Sequence, residues 1–308
     1  MSAAAFALVD WGTTSFRAWA CAADGTVLTE RRAPDGLTAV TDGDFAGVLE
    51  RHLAAMGVGA GVPAVLCGMV GSRTGWTEAA YLPVPTVLEG LANRATAVSC
   101  AGRPVHVLPG LAQHGEAPDV MRGEETQLLG VVAEGFDDGL VCMPGTHSKW
   151  VRLEGGTVSG FATFMTGELF QLLRSHSILK QAVETDARLQ PDDPGFAEGL
   201  ALGLGRPSEV TNALFALRAG WLLEGIPPAR QSARLSGLLI GLEFAGAMAR
   251  LGRPTRVALL ASGPIASLYE AAFEAAGLRL DRRLDADLCV RHGLLSAARS
   301  LHPDRSSP

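Results

Sequence analysis

Two stretches of this chain repeat one another about 133 residues apart, counting from Gly12 to Gly145. Set side by side, ALVDWGTTSFRAWACAADGTVLTE and GLVCMPGTHSKWVRLEGGTVSGFA follow one plan. An apolar run ends in Gly-Thr-x-Ser, a Trp-containing run follows, then a turn, then Gly-Thr-Val. Gly12-Thr13 matches Gly145-Thr146, Ser15 matches Ser148, and Gly25-Thr26-Val27 matches Gly156-Thr157-Val158. The copies are too far apart for a short solenoid repeat, and the distance suits two domains of similar topology. The competing reading is two unrelated hairpins that share Gly and Thr, both common turn residues. A length of 308 residues suits two domains.

The periodicity around the copies is that of an α/β protein. AFALVD reads as a buried strand, and the run after it as a turn and two strands joined at Asp24-Gly25. DFAGVLERHLAAMG has helical apolar spacing, VPAVLCGMVG reads as a strand ending in glycines, and GEETQLLGVVAEG as a helix beginning near Glu124. YLPVPTVLEG is Pro-rich and expected to be irregular. The second copy runs strand, Gly loop, strand, Gly155-Gly156 turn, strand, helix. A low-charge helical region extends to about Gly252, then RVALLASGPIASLYEAAFEAAGL reads as strand, Gly turn and helix. LRLDRR is a further candidate strand and ADLCVRHGLLSAARSL a closing helix.

Composition narrows the function classes. Apolar residues make up 47% and charged residues 19%, which argues for a packed core and against disorder. A net charge of −6 without a long Lys/Arg run argues against nucleic-acid or anionic-membrane binding. The five cysteines are scattered without C-x-x-C spacing, as expected of reduced, buried thiols. The N-terminal stretch lacks a basic region and reaches Asp10 too soon for a secretory segment, so a cytoplasmic protein is expected.

Both loops carry phosphate-binding chemistry. Gly12 permits close approach of backbone to a ligand, and the hydroxyls and N–H groups of Thr13 and Thr14 can donate to phosphate oxygens. Asp10 just before them can hold Mg²⁺ or simply cap a strand end. Gly145, Thr146 and Lys149 supply the same donors plus a cation, without Walker A spacing. Lys149 can equally be a solvated strand residue, and His147 a loop hydrogen-bond partner. Glu124 and Glu125 suit a helix N-terminus through the dipole alone, yet a carboxylate opposite phosphate loops is what alcohol phosphorylation requires as proton acceptor. Ser262-Gly263 lies in a strand–Gly–helix turn that lets a flat ligand approach. GLALGLGRP lacks both the spacing of a dinucleotide fingerprint and a preceding strand.

Taken together, DWGTTSFRAW, CGMVGSRTGW with YLPVP, VMRGEETQLLG, MPGTHSKW, MTGEL and SGLLIGLE resemble the sugar kinase, actin and heat-shock chaperone ATPase superfamily. Within it the chain resembles the 2-dehydro-3-deoxygalactonokinase family, in motif order and over nearly its whole length. The resemblance implies two RNase H-like α/β domains, residues 1–135 and 136–308, with ATP and Mg²⁺ in an interdomain cleft, and the two-domain reading predicts that the cleft closes on substrate. It implies ATP-dependent phosphorylation of the 6-hydroxyl of 2-dehydro-3-deoxy-D-galactonate. By position, Asp10 is expected to hold Mg²⁺, and Gly12, Thr13, Thr14, Gly145, Thr146 and Lys149 to surround the ATP phosphates. Ser262 and Gly263 are expected near the nucleoside, and Glu124, then Glu125, as the base. The sugar-acid carboxylate suits arginine recognition, which makes Arg17, Arg73 and Arg122 candidates, with Ser72 and Trp76 completing the pocket. Any of these arginines can instead be a structural pair, and Trp76 plain packing. The alternatives are a kinase for another sugar acid such as 2-dehydro-3-deoxygluconate, or a non-catalytic sugar sensor or assembling ATPase. The sequence leaves the oligomeric state open, a homodimer included.

Overall fold

In the computed structural model, which describes residues 3–100 and 102–305, the repeat becomes two sheets with the same strand order. Met1 and Ser2, the start of the N-terminal stretch, lie outside the described residues. In chain order the first half contains β1 (Phe6–Trp11), β2 (Phe16–Cys21), β3 (Val27–Ala33), α1 (Phe45–Ala55), β4 (Ala64–Cys67), β5 (Tyr81–Pro83), β6 (Thr86–Val87), β7 (Thr96–Val98), β8 (Val105–Val107), β9 (Gly110–Gln113), β10 (Asp119–Met121) and α2 (Glu124–Ala133). The second half contains β11 (Gly139–Met143), β12 (Ser148–Glu154), β13 (Thr157–Phe164), α3 (Thr166–His176), α4 (Pro194–Gly205), α5 (Val210–Glu224), α6 (Pro228–Leu251), β14 (Val257–Leu260), α7 (Ile265–Ala275), β15 (Arg282–Leu284) and α8 (Ala286–Leu301).

The first sheet runs β3-β2-β1-β4-β8-β7, and the second contains the run β13-β12-β11-β14-β15. In each, a three-strand meander is followed by a strand that pairs parallel to its first member: β4 with β1, β14 with β11. The turns follow from local chemistry. Gly25 at φ +93° joins β2 to β3, and Gly155 and Gly156, both at positive φ, join β12 to β13. YLPVPTV, which the sequence marks as irregular, forms β5 and β6 on either side of the Val84–Pro85 bond.

The chain forms two compact units: 1–137 with 153–160 and 286–308, and 138–152 with 161–285. In the first, Ala7, Val9 and Trp11 of β1 pack on Phe45, Val48, Leu49 and Leu53 of α1. Phe6 and Leu8, on the opposite face of β1, are also fully buried, and α8 packs against β1 and β4. A sheet buried on both faces explains why these strands read as continuous apolar runs. In the second unit, Leu140, Cys142, Trp150 and Leu259 pack with Phe196 of α4, Phe244 of α6 and Phe273 of α7. Each such buried Leu or Phe contributes about 2 kcal/mol of transfer free energy.

Glycine sets the helix spacing in both units. A Cβ on Gly130 of α2 falls 1.9 Å from the Cys289 carbonyl oxygen, and one on Gly293 of α8 falls 1.9 Å from that of Thr126. In α4 and α6, Gly199 and Gly203 face the carbonyls of Arg234 and Leu238, while Gly237 and Gly241 face those of Phe196 and Leu200. Gly199 and Gly203 of GLALGLGRP therefore serve a close helix crossing. No helix among the described residues is long and apolar enough to cross a membrane.

Candidate active site

In the first unit the candidate residues gather at the ends of β1 and β4. These strands pair in parallel, with Asp10 opposite Cys67, so Asp10 and Gly68 emerge side by side. Gly68 has φ +90°, and a Cβ there falls 2.8 Å from the Trp11 carbonyl oxygen and 3.1 Å from Asp10 Oδ1. Only glycine fits, because both the dihedral and the space exclude a side chain. Gly123, at φ +105° before α2, brings its Cβ direction within 3.4 Å of the Gly68 Cα. The start of α2 is thereby held beside Asp10.

The Gly12–Ser15 loop closes with the Gly12 N–H donating to the Ser15 carbonyl at 2.9 Å. Gly36 supports it from beneath, and the Thr38 N–H and hydroxyl both donate to the Thr13 carbonyl. Thr13 and Thr14 stand exposed at its tip. The Arg17 guanidinium donates to Asp10 and to Asp287 at the start of α8, and Arg32 donates to Asp287 at 2.8 Å. Arg17 thus already has two carboxylate partners.

The two glutamates at the start of α2 differ sharply. Glu124 is half-buried, and its Oε2 accepts the Arg122 N–H at 3.0 Å. Glu125 is fully buried; its two oxygens accept the Gly123 N–H at 2.9 and 2.7 Å, and Oε1 also accepts the Thr126 hydroxyl at 3.0 Å. Burial, and then the charge of Glu124, push the Glu125 pKa up to about 8. At neutral pH Glu124 is the more accessible of the two.

Arg122 lies inward. Its guanidinium stacks on the Tyr81 ring at 4.2 Å and donates to the Ala79 carbonyl at 2.8 Å, while Nη1 is buried beside Gly71 with no hydrogen-bond partner among the described residues. It clamps the 69–79 segment that carries the other sugar-site candidates. On that segment Ser72 hydrogen-bonds Thr74, Arg73 is exposed beside Glu78, and Trp76 stacks on Phe45 with ring planes 11° apart.

In the second unit the Pro144–His147 loop sits against the start of α3. The Glu168 N–H donates to the Thr146 carbonyl at 3.0 Å, His147 Nε2 lies 2.5 Å from Glu168 Oε2, and a Cβ on Gly167 falls 2.5 Å from the Gly145 carbonyl oxygen. Gly145 and Thr146 are exposed, whereas Lys149 on β12 is only 4% exposed, so it is not a solvated strand residue. Beside the loop opens a cavity of about 360 Å³, walled by Thr146, Thr166, Phe170, Leu239, Ile240 and Ile265. Ser262 donates to Asp285 at 2.7 Å, and Gly263 has φ +73° with open space around it. Both lie just before Ile265 in the chain.

The 2-keto-3-deoxy-galactonokinase family model matches residues 10–297. The chain belongs to that family. An Escherichia coli (strain K12) relative named 2-dehydro-3-deoxygalactonokinase is 34% identical over 97% of this chain and 99% of its own. A candidate 2-dehydro-3-deoxygalactonokinase of Rhizobium meliloti (strain 1021) is 48% identical over 97% of this chain and 98% of its own. The crystal structure of a candidate enzyme of this name from Sinorhizobium meliloti superposes with a TM-score of 0.91, covering 97% of each chain at 48% identity. The fold reaches further, to component A of an Acidaminococcus fermentans (R)-2-hydroxyglutaryl-CoA dehydratase, at a TM-score of 0.52 and 14% identity over 97% of this chain and 98% of that one. The family's kinase activity on this fold entails ATP as phosphoryl donor.

Two features of this kinase chain escape a reading of its motifs. One is the cavity beside the second loop, whose apolar wall comes from α3, α6 and α7. The other is Glu243, a buried carboxylate in the middle of α6. The only signal for it was a lone acidic residue in an apolar stretch of helix.

Proposed function

We propose that the protein transfers the γ-phosphoryl group of ATP to the 6-hydroxyl of 2-dehydro-3-deoxy-D-galactonate, giving 2-dehydro-3-deoxy-6-phosphogalactonate and ADP. One observation carries the reading. Two Gly-Thr loops occupy equivalent corners of two sheets with the same strand order, in a chain that belongs to the 2-keto-3-deoxy-galactonokinase family.

In this reading the first unit takes the sugar acid and the second takes the nucleotide. Glu124 accepts the proton of the 6-hydroxyl as that oxygen attacks phosphorus. It is half-buried and open to a ligand, whereas Glu125 is sealed and raised toward its neutral form. Gly12, Thr13, Thr14, Gly145 and Thr146 offer backbone and hydroxyl donors to the phosphates, and Lys149 adds positive charge behind its loop. The cavity of the second unit suits the nucleoside: apolar walls for a flat base and a few polar groups at its mouth. Ser262 and Gly263 border that region in sequence. Arg73, exposed and only loosely paired, is the best placed arginine to read the substrate carboxylate, with Ser72 and Trp76 beside it. Arg122 holds that segment in place, and Arg17 orients Asp10.

Asp10 fits Mg²⁺ bound together with nucleotide. It offers one carboxylate at a strand end, with Oδ1 beside Gly68 and Oδ2 accepting from Arg17. That matches an ion that takes one or two carboxylates and fills its shell with phosphate oxygens and water. Bound there, Mg²⁺ neutralises charge on the transferring phosphoryl group. Free cysteines and the small-molecule substrate suit a cytoplasmic enzyme. The test is ATP-coupled turnover on 2-dehydro-3-deoxygalactonate and on its C4 epimer, 2-dehydro-3-deoxygluconate. Preference for the first supports the assignment, and equal rates on both defeat it.

A further inference from the structure

Three motifs of the second unit, PGTHSKW, MTGEL and SGLLIGLE, converge on one buried carboxylate. Glu243 is 1% exposed. Trp150 Nε1 donates to its Oε1 at 2.9 Å, the Tyr269 hydroxyl donates to Oε2 at 2.7 Å, and the Thr166 hydroxyl donates to Oε2 as well. A leucine or methionine would fill the same space beside Phe244 without the cost of desolvating a carboxylate.

The partners of Glu243 surround the nucleotide cavity and its loop. Thr166 opens α3 and walls the cavity, Tyr269 walls it from α7, and Ser236 walls it from the same face of α6, seven residues before Glu243. From Tyr269 the contacts continue to the loop. The Ser148 and Tyr269 hydroxyls are 3.0 Å apart, and the Gly145 N–H points at Ser148 Oγ at 3.4 Å.

We propose that Glu243 is a positioning residue of the second phosphate loop, fixing the hydrogen-bond directions that set the backbone at Gly145. The inference rests on the reading that this unit binds ATP. Because the carboxylate only accepts, Tyr269 must donate to it. The Tyr269 oxygen is then left to accept from Ser148, and Ser148 in turn accepts from the Gly145 N–H. With the carboxylate gone, the Tyr269 proton turns to Ser148, whose own proton turns to the Gly145 carbonyl at 3.5 Å. The Ser148 oxygen can still accept from the Gly145 N–H through its second lone pair, but it now also donates to the Gly145 carbonyl, so the backbone at Gly145 is no longer held by one set of hydrogen-bond directions. Burial raises the Glu243 pKa, and the hydrogen bonds from Thr166, Tyr269 and Trp150 offset part of that rise.

Glu243→Gln conserves volume but replaces one of the two acceptor oxygens with an amide donor, so the side chain can no longer accept from Trp150 on one side and from Tyr269 and Thr166 on the other. The test is equilibrium titration of the intact protein with AMP-PNP and Mg²⁺, alongside KM for ATP and for the sugar acid. E243Q is expected to weaken AMP-PNP binding about tenfold, as loss of a buried hydrogen-bond partner does, with the sugar-acid KM within about twofold of wild type. Tyr269→Phe, which removes only the linking hydroxyl, is expected to weaken nucleotide binding by a smaller factor. The double variant is expected to bind no worse than E243Q alone, since both break one chain. Equal AMP-PNP affinity in wild type and E243Q overturns the proposal. So does a parallel rise in both KM values, or a double variant whose losses multiply in full. If E243Q does not fold, unchanged affinity in Y269F overturns it. A wild type without affinity for AMP-PNP defeats the nucleotide reading and this inference with it; a wild type that binds, with variants equal to it, defeats this inference alone.

Discussion

Replacing Glu125 with glutamine should flatten the pH dependence of the protein's stability. The Glu125 carboxyl is fully buried, with its pKa raised from 4.5 to about 8. Between those values the folded chain holds a proton that the unfolded chain releases. The stabilisation from that proton is complete below about pH 4.5 and is lost as pH rises through about 8. At ~1.4 kcal/mol per pH unit, the interval corresponds to roughly 5 kcal/mol. Glutamine cannot titrate, yet its carbonyl oxygen can still accept from the Gly123 N–H and the Thr126 hydroxyl. Urea unfolding at about pH 5, 6.5 and 8.5, with m-values checked for equality, gives the two stability curves. Wild type should lose stability relative to E125Q by about 1 kcal/mol or more for each unit between pH 5 and 8. Parallel curves would falsify the reasoning, because they would mean that Glu125 is ionised in the fold at neutral pH.

Glu124→Gln should lower kcat by at least ~10²-fold with the fold intact by circular dichroism, and near-normal turnover moves the base elsewhere. Lys149→Met, which keeps the buried stem but removes the charge, should raise the KM for ATP about tenfold; unchanged kinetics make Lys149 a packing residue. Gly68→Ala places a methyl group 2.8 Å from the Trp11 carbonyl oxygen at φ +90°, and should cost about 2 kcal/mol or more in urea unfolding. A loss under about 0.5 kcal/mol means that the β1 and β4 ends move apart freely.

The sequence shows much of this structure because the same local chemistry occurs twice. A buried strand that must turn at Gly-Thr and return through a Trp-containing strand leaves few options, so β1–β3 and β11–β13 are legible from their residues. Other features depend on contacts between distant segments. The amphipathic pattern of α8 marks a helix, but that it packs on α2 in the first unit depends on Gly130 and Gly293 meeting backbone carbonyls. Lys149 was ambiguous because strand alternation fails there. Ser148, Lys149, Trp150 and Val151 are all buried, so both faces of β12 are covered. Glu243 lies within SGLLIGLE with no role legible there, since its partners Trp150, Thr166 and Tyr269 lie on three other elements. At the start of α2, the motif alone could not rank Glu124 and Glu125. Adjacent helix positions point in different directions, and here one faces the interior.

The most direct test of the kinase assignment is ADP release coupled to phosphorylation of 2-dehydro-3-deoxygalactonate, measured beside the gluconate-derived epimer, gluconate, xylulose and glycerol. Stoichiometric ADP and sugar phosphate, with kcat/KM for 2-dehydro-3-deoxygalactonate at least about tenfold above every other acceptor, is the predicted result. Comparable turnover across the panel, or none on 2-dehydro-3-deoxygalactonate, contradicts it.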